Sequence, residues 1–182
     1  LALLETRDAG KVLAHMQHAE IPRVAQNLRF FADYSAMAAN DAFPDGALLS
    51  YVLHPPAGVV SAISPWNAPL MLASWKFAPA LAFGNTVVLK PAPQTPLTAA
   101  RFAELALDAG LPEGVLNVVQ GFGGDEVAGP LTSDPRVDRI TFTGSTATGK
   151  RVMAAAAANL TPVSAELGGK SANIVFDDAD LE

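Results

Sequence analysis

Between Val59 and Leu167, short apolar runs rich in β-branched residues alternate with segments of helix length. The runs are Val59 to Ile63, Thr86 to Leu89, Val115 to Val119, Ile140 to Phe142 and Val163 to Leu167. Helical patterns separate them: Ala68 to Phe83, Thr95-Pro96 to Ala109, Asp125 to Thr132, and Thr146 through Ala158. Such alternation predicts a parallel sheet built from right-handed βαβ units. The expected class is therefore α/β, a doubly wound, mostly parallel sheet with ligand at the C-terminal ends of its strands.

Local signals sharpen the pattern. Pro79 is expected to kink or break the helix that contains it. Thr95 reads as an N-cap with Pro96 in the first helical position, and Gly110 and Pro112 stop that helix. Gly121, Gly123 and Gly124 read as a loose turn. Ile174 to Phe176 is expected to add one more strand, with a helix beginning over Asp178 to Glu182.

The flanks differ. Residues 1–46 carry helical patterns: LALLETRDAG, broken by Gly10, and Pro22 to Ala39, with Val24, Leu28, Phe31 and Ser35 on one stripe. That stripe is expected to pack on a neighbouring domain. Asn40 to Gly46 reads as a turn-rich link, and Leu48 to Leu53 as an extended segment ending at His54-Pro55-Pro56. The chain starts in mid-pattern without a cap and stops without a tail, so the expectation is a piece of a longer polypeptide.

Composition excludes several classes. The net charge of −6, with no basic cluster, argues against a nucleic-acid surface. With no cysteine there is no disulfide framework, thiolate metal site or cysteine nucleophile within these residues. The three histidines, His15, His18 and His54, have no carboxylates at metal-ligand spacing, so no metal is expected. Phe77 to Leu89 is a charge-free apolar region, but it is interrupted by Pro79, Gly84 and Asn85. It falls short of the roughly 18 residues a membrane span needs. A soluble cytoplasmic protein is the expectation.

Four segments at predicted strand ends carry the chemistry. In FTGSTATGK the Ile140–Phe142 strand feeds a turn at Gly144-Ser145 and then a helix N-terminus, where N–H groups and the helix dipole favour phosphate. Gly144 to Lys150 also fits G-x-x-x-x-G-K, yet Arg151 stands where a P-loop needs Ser or Thr for magnesium. In SPWNAP, Pro65 and Pro69 stiffen a turn that aims Asn67, whose amide donors suit a developing oxyanion. The plainer role for Asn67 is capping the helix that starts at Ala68. In ELGGK, Glu166 is placed to act as a general base, or else to pair with Lys170. Lys90 closes its strand before Pro91-Ala92-Pro93, where it either reaches ribose or phosphate or is simply solvated.

Taken in order, SPWNAP, GNTVVLKPAPQTP, GLPEGVLNVVQG, FTGSTATGK and ELGGK resemble the aldehyde dehydrogenase superfamily, and ETRDAGK near the start agrees. The resemblance spans nearly the whole chain and implies a Rossmann-like domain for NAD or NADP over residues 59–168. Segment 47–58 would belong to an oligomerising extension, implying a homodimer or homotetramer, and residues 169–182 would begin a catalytic domain. Ile63, Ser64, Pro65 and Trp66 would line the cofactor cleft. Lys90 would meet the adenosine ribose or a 2′-phosphate, and Gly121 and Thr148 would flank the adenine. Ser145 would meet the pyrophosphate, with Gly144 permitting close approach and Pro93, Phe142 and Thr143 also touching the cofactor. Asn67 would donate to the thiohemiacetal oxyanion. Glu166 would activate water against the thioester, with Leu167 and Gly168 beside the nicotinamide. The implied reaction oxidises a small-molecule aldehyde to its carboxylate, and WKFAPALAFGNTVVLKPAPQTP has the flavour of a semialdehyde- or betaine-aldehyde-type enzyme.

Two departures qualify the implication. The family's nucleophilic cysteine is missing, and in the family it follows ELGGK in the next domain, past Glu182. The glutamate that many NAD-preferring members carry three residues after the lysine is Pro93 here, which leaves NADP open. Two other readings stand beside this one: a non-catalytic dinucleotide-binding or structural relative, and a P-loop-like nucleotide-binding protein.

Overall fold

The computed structural model describes residues 1–122 and 127–180. Gly123, Gly124 and the expected helix start at Asp125 lie outside the described residues, as do Leu181 and Glu182.

The N-terminal part is helical. α1 (Ala2–Ala9) ends on Gly10 at φ 69°, a left-handed position that glycine adopts without Cβ strain. The short α2 (Leu13–His15) passes through a π-helical turn, Met16–Glu20, into α3 (Ile21–Met37). Glu20 is buried in this turn with the fully buried Met16, accepts from Lys11 and faces His15. On α3, Val24 is buried, and Leu28 and Phe31 join the core beneath the sheet's own helix. The stripe therefore packs on this domain and not on a neighbouring one.

Next comes a hairpin of β1 (Ala42–Asp45) and β2 (Leu48–Tyr51), paired antiparallel from Ala42↔Tyr51 to Asp45↔Leu48. The expected turn-rich link over 40–46 is thus partly a strand. Pro44 obscures it, but a two-stranded ribbon has open edges that tolerate a residue without N–H. Both strands are exposed throughout.

The sheet follows the expected grammar. β3 (Val59–Ile63), β4 (Thr86–Lys90), β5 (Leu116–Val118), β6 (Arg139–Thr143) and β7 (Val163–Glu166) are parallel, in the order β5-β4-β3-β6-β7. The crossovers are α4 (Pro69–Ala82), α5 (Leu97–Asp108), α6 (Ala128–Ser133) and α7 (Thr146–Ala157). Pro79 does not break α4, which continues to Ala82. One core joins β3, β4 and α4, with Phe77 fully buried and stacked on Phe102 at 4.7 Å. The other joins Ile140 and Phe142 of β6 to Val152 and Ala156 of α7.

Three further expectations fail, one of them the helix expected from Asp178, since residues 178–180 form none. Ile174 to Phe176 forms no strand: the three side chains are mostly exposed, since β-branched propensity cannot make a strand without a partner edge. Thr95 does not cap α5. Its Oγ1 is buried without a partner, and the Leu97 N–H instead donates to Asp8 Oδ2 at 2.9 Å.

Candidate functional site

β3 lies at the centre of the sheet. The chain leaves it towards β4 and β5 on one side and later returns to β6 and β7 on the other. This reversal is a topological switch point, the place where doubly wound sheets open a ligand crevice. Ile63 pairs with Lys90 on one flank and Phe142 on the other, and Thr143 pairs with Glu166. Two further bonds extend the rows: Ser64 N–H to Lys90 O at 3.1 Å, and Gly144 N–H to Glu166 O at 3.1 Å. The four segments singled out in the sequence therefore end together on one rim.

Asn67 is exposed and caps nothing. α4 has no side-chain cap of its own, and its Leu70 N–H donates to Glu5 Oε1 at 3.2 Å. The capping role for Asn67 is thereby overturned, and its amide is left free at the end of the Pro65-Trp66 turn. Ser64 is buried with its Oγ unpartnered, while Trp66 stands 62% exposed.

Lys90 is not a solvated lysine. It is buried, its Nζ reaches only the Pro91 carbonyl among the described residues, at 3.5 Å, and burial lowers its pKa. Such a cation is under-satisfied and suited to an incoming oxygen ligand. Beyond it, Pro93 and Gly121 line one cavity of about 250 Å³ with Pro91, Pro96, Gln120 and Phe122. A Cβ on Gly121 would stand 2.6 Å from Val127 Cγ2, so glycine sets that close approach.

At the third segment, a Cβ on Gly144 would meet the Phe142 ring at 2.6 Å. Ser145 is the N-cap of α7: its Oγ accepts from Thr148 N–H at 3.2 Å and donates to Thr148 Oγ1 at 2.9 Å. Lys150, the lysine of the partial P-loop pattern, is exposed.

Glu166 and Lys170 are both exposed and form no ion pair, against one expectation from the sequence. The positive charge that Glu166 meets is Lys76 on α4. Lys76 is 6% exposed and donates from Nζ to Thr143 Oγ1 at 2.6 Å. Burial pushes its pKa down to about 8, with the Glu166 charge opposing the shift. The sequence reading did not select Lys76; the available signal was a lone charge in the apolar run WKFAPALA. Leu167 packs against Gly149, and Gly168 lies against Thr146 Oγ1.

The residues present fit a dinucleotide: a close-approach glycine turn at a helix N-terminus, a buried unsatisfied lysine, an orphaned Ser64 hydroxyl and a cavity at the rim. No cluster of potential metal ligands occurs among the described residues. No helix among them is long and apolar enough to cross a membrane.

Fold and rim together define an α/β protein with a crevice of the dinucleotide-binding type. The chain belongs to the aldehyde dehydrogenase family, whose pattern it matches over residues 1–182. It is 51% identical to 2-hydroxymuconic semialdehyde dehydrogenase of Pseudomonas sp. (strain CF600), covering 98% of this chain and 38% of that protein. It is 48% identical to betaine aldehyde dehydrogenase of Cereibacter sphaeroides over 100% of this chain and 37% of the relative. The NAD+ complex of an aldehyde dehydrogenase from Bacillus cereus superposes with a TM-score of 0.91 at 43% identity, covering 99% of this chain and 37% of that one. The chain thus spans a little over a third of the length of these relatives.

Proposed function

We propose that this chain is the cofactor-binding part of an NAD(P)-dependent enzyme that oxidises an aldehyde to a carboxylate. The observation that carries the reading is the convergence of Asn67, Lys90, Gly144-Ser145 and Glu166 on one rim at the switch point. Relatives named for semialdehydes and for betaine aldehyde support the reaction class.

The residues divide the work by position. The Gly144-Ser145 turn and the α7 N-terminus hold the pyrophosphate, with Phe142 and Thr143 beneath them. Ile63, Ser64, Pro65 and Trp66 form the central wall. Lys90 and Pro93 face the adenosine ribose, and Gly121 and Thr148 the adenine. When bound, the nicotinamide supplies the hydride acceptor, with Leu167 and Gly168 beside it. Asn67 donates its amide N–H to the oxygen that gains charge as a thiolate adds to the aldehyde. Glu166 takes a proton from water that hydrolyses the resulting thioester. The thiolate belongs to a cysteine outside these 182 residues, none of which is cysteine.

The same reading assigns residues 1–46 to the helical part of the cofactor domain, 47–58 to an oligomerising extension and 169–182 to the start of a catalytic domain. The solvent-facing hairpin supports a homodimer or homotetramer, since Phe43, Leu48, Leu49 and Tyr51 are each more than half exposed. The location proposed is the cytoplasm.

Fluorescence titration with NADH, NADPH and ATP tests the proposal. A dinucleotide should quench Trp66 and ATP should not; binding of ATP alone would overturn it.

A further inference from the structure

Two carboxylates on α1 do the same task for two different helices. Glu5 Oε1 accepts the Leu70 N–H at 3.2 Å, and Asp8 Oδ2 accepts the Leu97 N–H at 2.9 Å. Leu70 and Leu97 lie in the first turns of α4 and α5, where N–H groups have no partner inside the helix. Neither helix is capped from its own turn, because Ala68 and Pro96 provide no capping side chain. Three residues apart, Glu5 and Asp8 share one face of α1. Each sits at the positive end of a helix dipole.

The helices they seat follow directly on the rim. α4 starts just after Asn67, and α5 just after the Lys90–Pro96 turn. Asn67 is the local competitor for the bond that Glu5 makes. It stands three residues before Leu70, the spacing at which an Asn side chain bonds the N–H of its own helix. Glu5 is fully buried, and burial raises its pKa; its Oε2 makes no full hydrogen bond, although the Thr98 hydroxyl lies near enough to oppose part of the shift. A carboxylate held at that cost keeps Leu70 occupied and leaves the Asn67 amide unspent.

We propose that α1 is a positioning element for the rim: Glu5 keeps Asn67 off its own helix and aimed outward, and Asp8 fixes the turn that carries Lys90 and Pro93. The proposal rests on the reading of Asn67 as an oxyanion donor and of Lys90–Pro93 as the ribose wall.

The test uses the full-length protein that carries this chain. Glu5→Ala should slow the pre-steady-state burst by about tenfold or more, part of the 10²–10³ that losing an oxyanion donor costs. Cofactor Kd should stay within about twofold, because the pyrophosphate turn is untouched. Asp8→Ala should do the reverse, raising cofactor Kd about fivefold and sparing the burst at saturation. Glu5→Gln keeps an acceptor oxygen and should restore most of the burst. In an Asn67→Ala background, Glu5→Ala should add little, since both act through one amide. Hydrogen exchange should speed at the Leu70 amide in Glu5→Ala and at the Leu97 amide in Asp8→Ala. Should Glu5→Ala not fold, Glu5→Asp, one methylene short, carries the same expectations.

Equal effects of the two variants on burst and Kd overturn the proposal. So does faster exchange at Leu70 with an unchanged burst while Asn67→Ala alone slows it. If Asn67→Ala itself leaves the burst intact, the oxyanion reading fails, and the proposal with it.

Discussion

Gly149 of α7 lies so close to Leu167 that a Cβ there would stand 2.3 Å from Leu167 Cδ2. The clash falls on the far end of a flexible side chain that is already 39% exposed. Leu167, not the helix, is the part that yields. Ala also recovers about 1 kcal/mol of helix propensity relative to Gly. Gly149→Ala is therefore expected to leave the melting temperature within about 4 °C of the parent. It should nonetheless weaken dinucleotide binding, because Leu167 turns out beside Glu166. A large loss of stability with unchanged affinity would contradict this account.

Asn67→Ala removes an exposed side chain that bonds nothing among the described residues. Stability is expected to hold within about 0.5 kcal/mol, the range of ordinary surface substitutions. In the full-length enzyme the first chemical step should fall by roughly 10²–10³. Stopped-flow detection of the reduced cofactor separates the two outcomes. A drop in melting temperature alone would return Asn67 to a structural role.

Glu166→Gln is expected to slow thioester hydrolysis and preserve the burst of reduced cofactor. The substitution also removes the negative charge that supports protonated Lys76. Its pKa should then fall further below about 8. Burst and steady-state rates from one experiment check the first part, and Lys76 titration by NMR checks the second.

Lys76 makes stability depend on pH in a stated direction. Burial holds its pKa at about 8 in the folded chain, against the ordinary lysine value of 10.5. Between these values the unfolded chain binds the proton and the folded chain has shed it, so stability contributed by this group rises with pH. It is lost as pH falls through about 8. Denaturant titrations from pH 7 to about 10 should show the rise, and Lys76→Met should flatten it. A parallel slope in both proteins would assign the effect to another group.

Pro93→Glu places a carboxylate in the wall shared with Gly121. If this wall faces the ribose as proposed, the carboxylate accepts from its hydroxyls and repels a 2′-phosphate. The ratio of NAD to NADP affinity is expected to rise. No change in that ratio would mean that Lys90 and its neighbours do not define the ribose pocket.

The sheet was legible because β3, β4 and β6 are rich in β-branched residues and all five strands lie between glycine or proline breakers, a purely local signal. So was Gly10 as the end of α1. The helix starts were not. Thr95 and Asn67 have the right chemistry and position to cap, but carboxylates 89 residues from Leu97 and 65 from Leu70 take the bonds of those amides. Lys76 escaped for the same reason: its partner Thr143 lies 67 residues on, and nothing in WKFAPALA announces it. β1 was hidden by Pro44, and Ile174 to Phe176 shows the opposite error, propensity without a partner strand. Among the rim residues, Lys90 and Asn67 could be placed by sequence. Whether they were buried, free or capping could not, because that depends on long-range packing.

The central place of β3 has a consequence for how this scaffold can be modified. The turn after β4 and the turn after β6 hang from opposite flanks of one strand and share no residues. Residues 86–121 can in principle be exchanged with those of a relative as a cassette. The graft has to keep the ladder from Val59↔Thr86 to Ile63↔Lys90, the Phe102 ring on Phe77 and the Leu97 N–H bond to Asp8. On the proposed reading such a graft would move the ribose-facing turn and leave Asn67, Thr143 and Glu166 as they are, so cofactor choice and chemistry would be separable on this sheet.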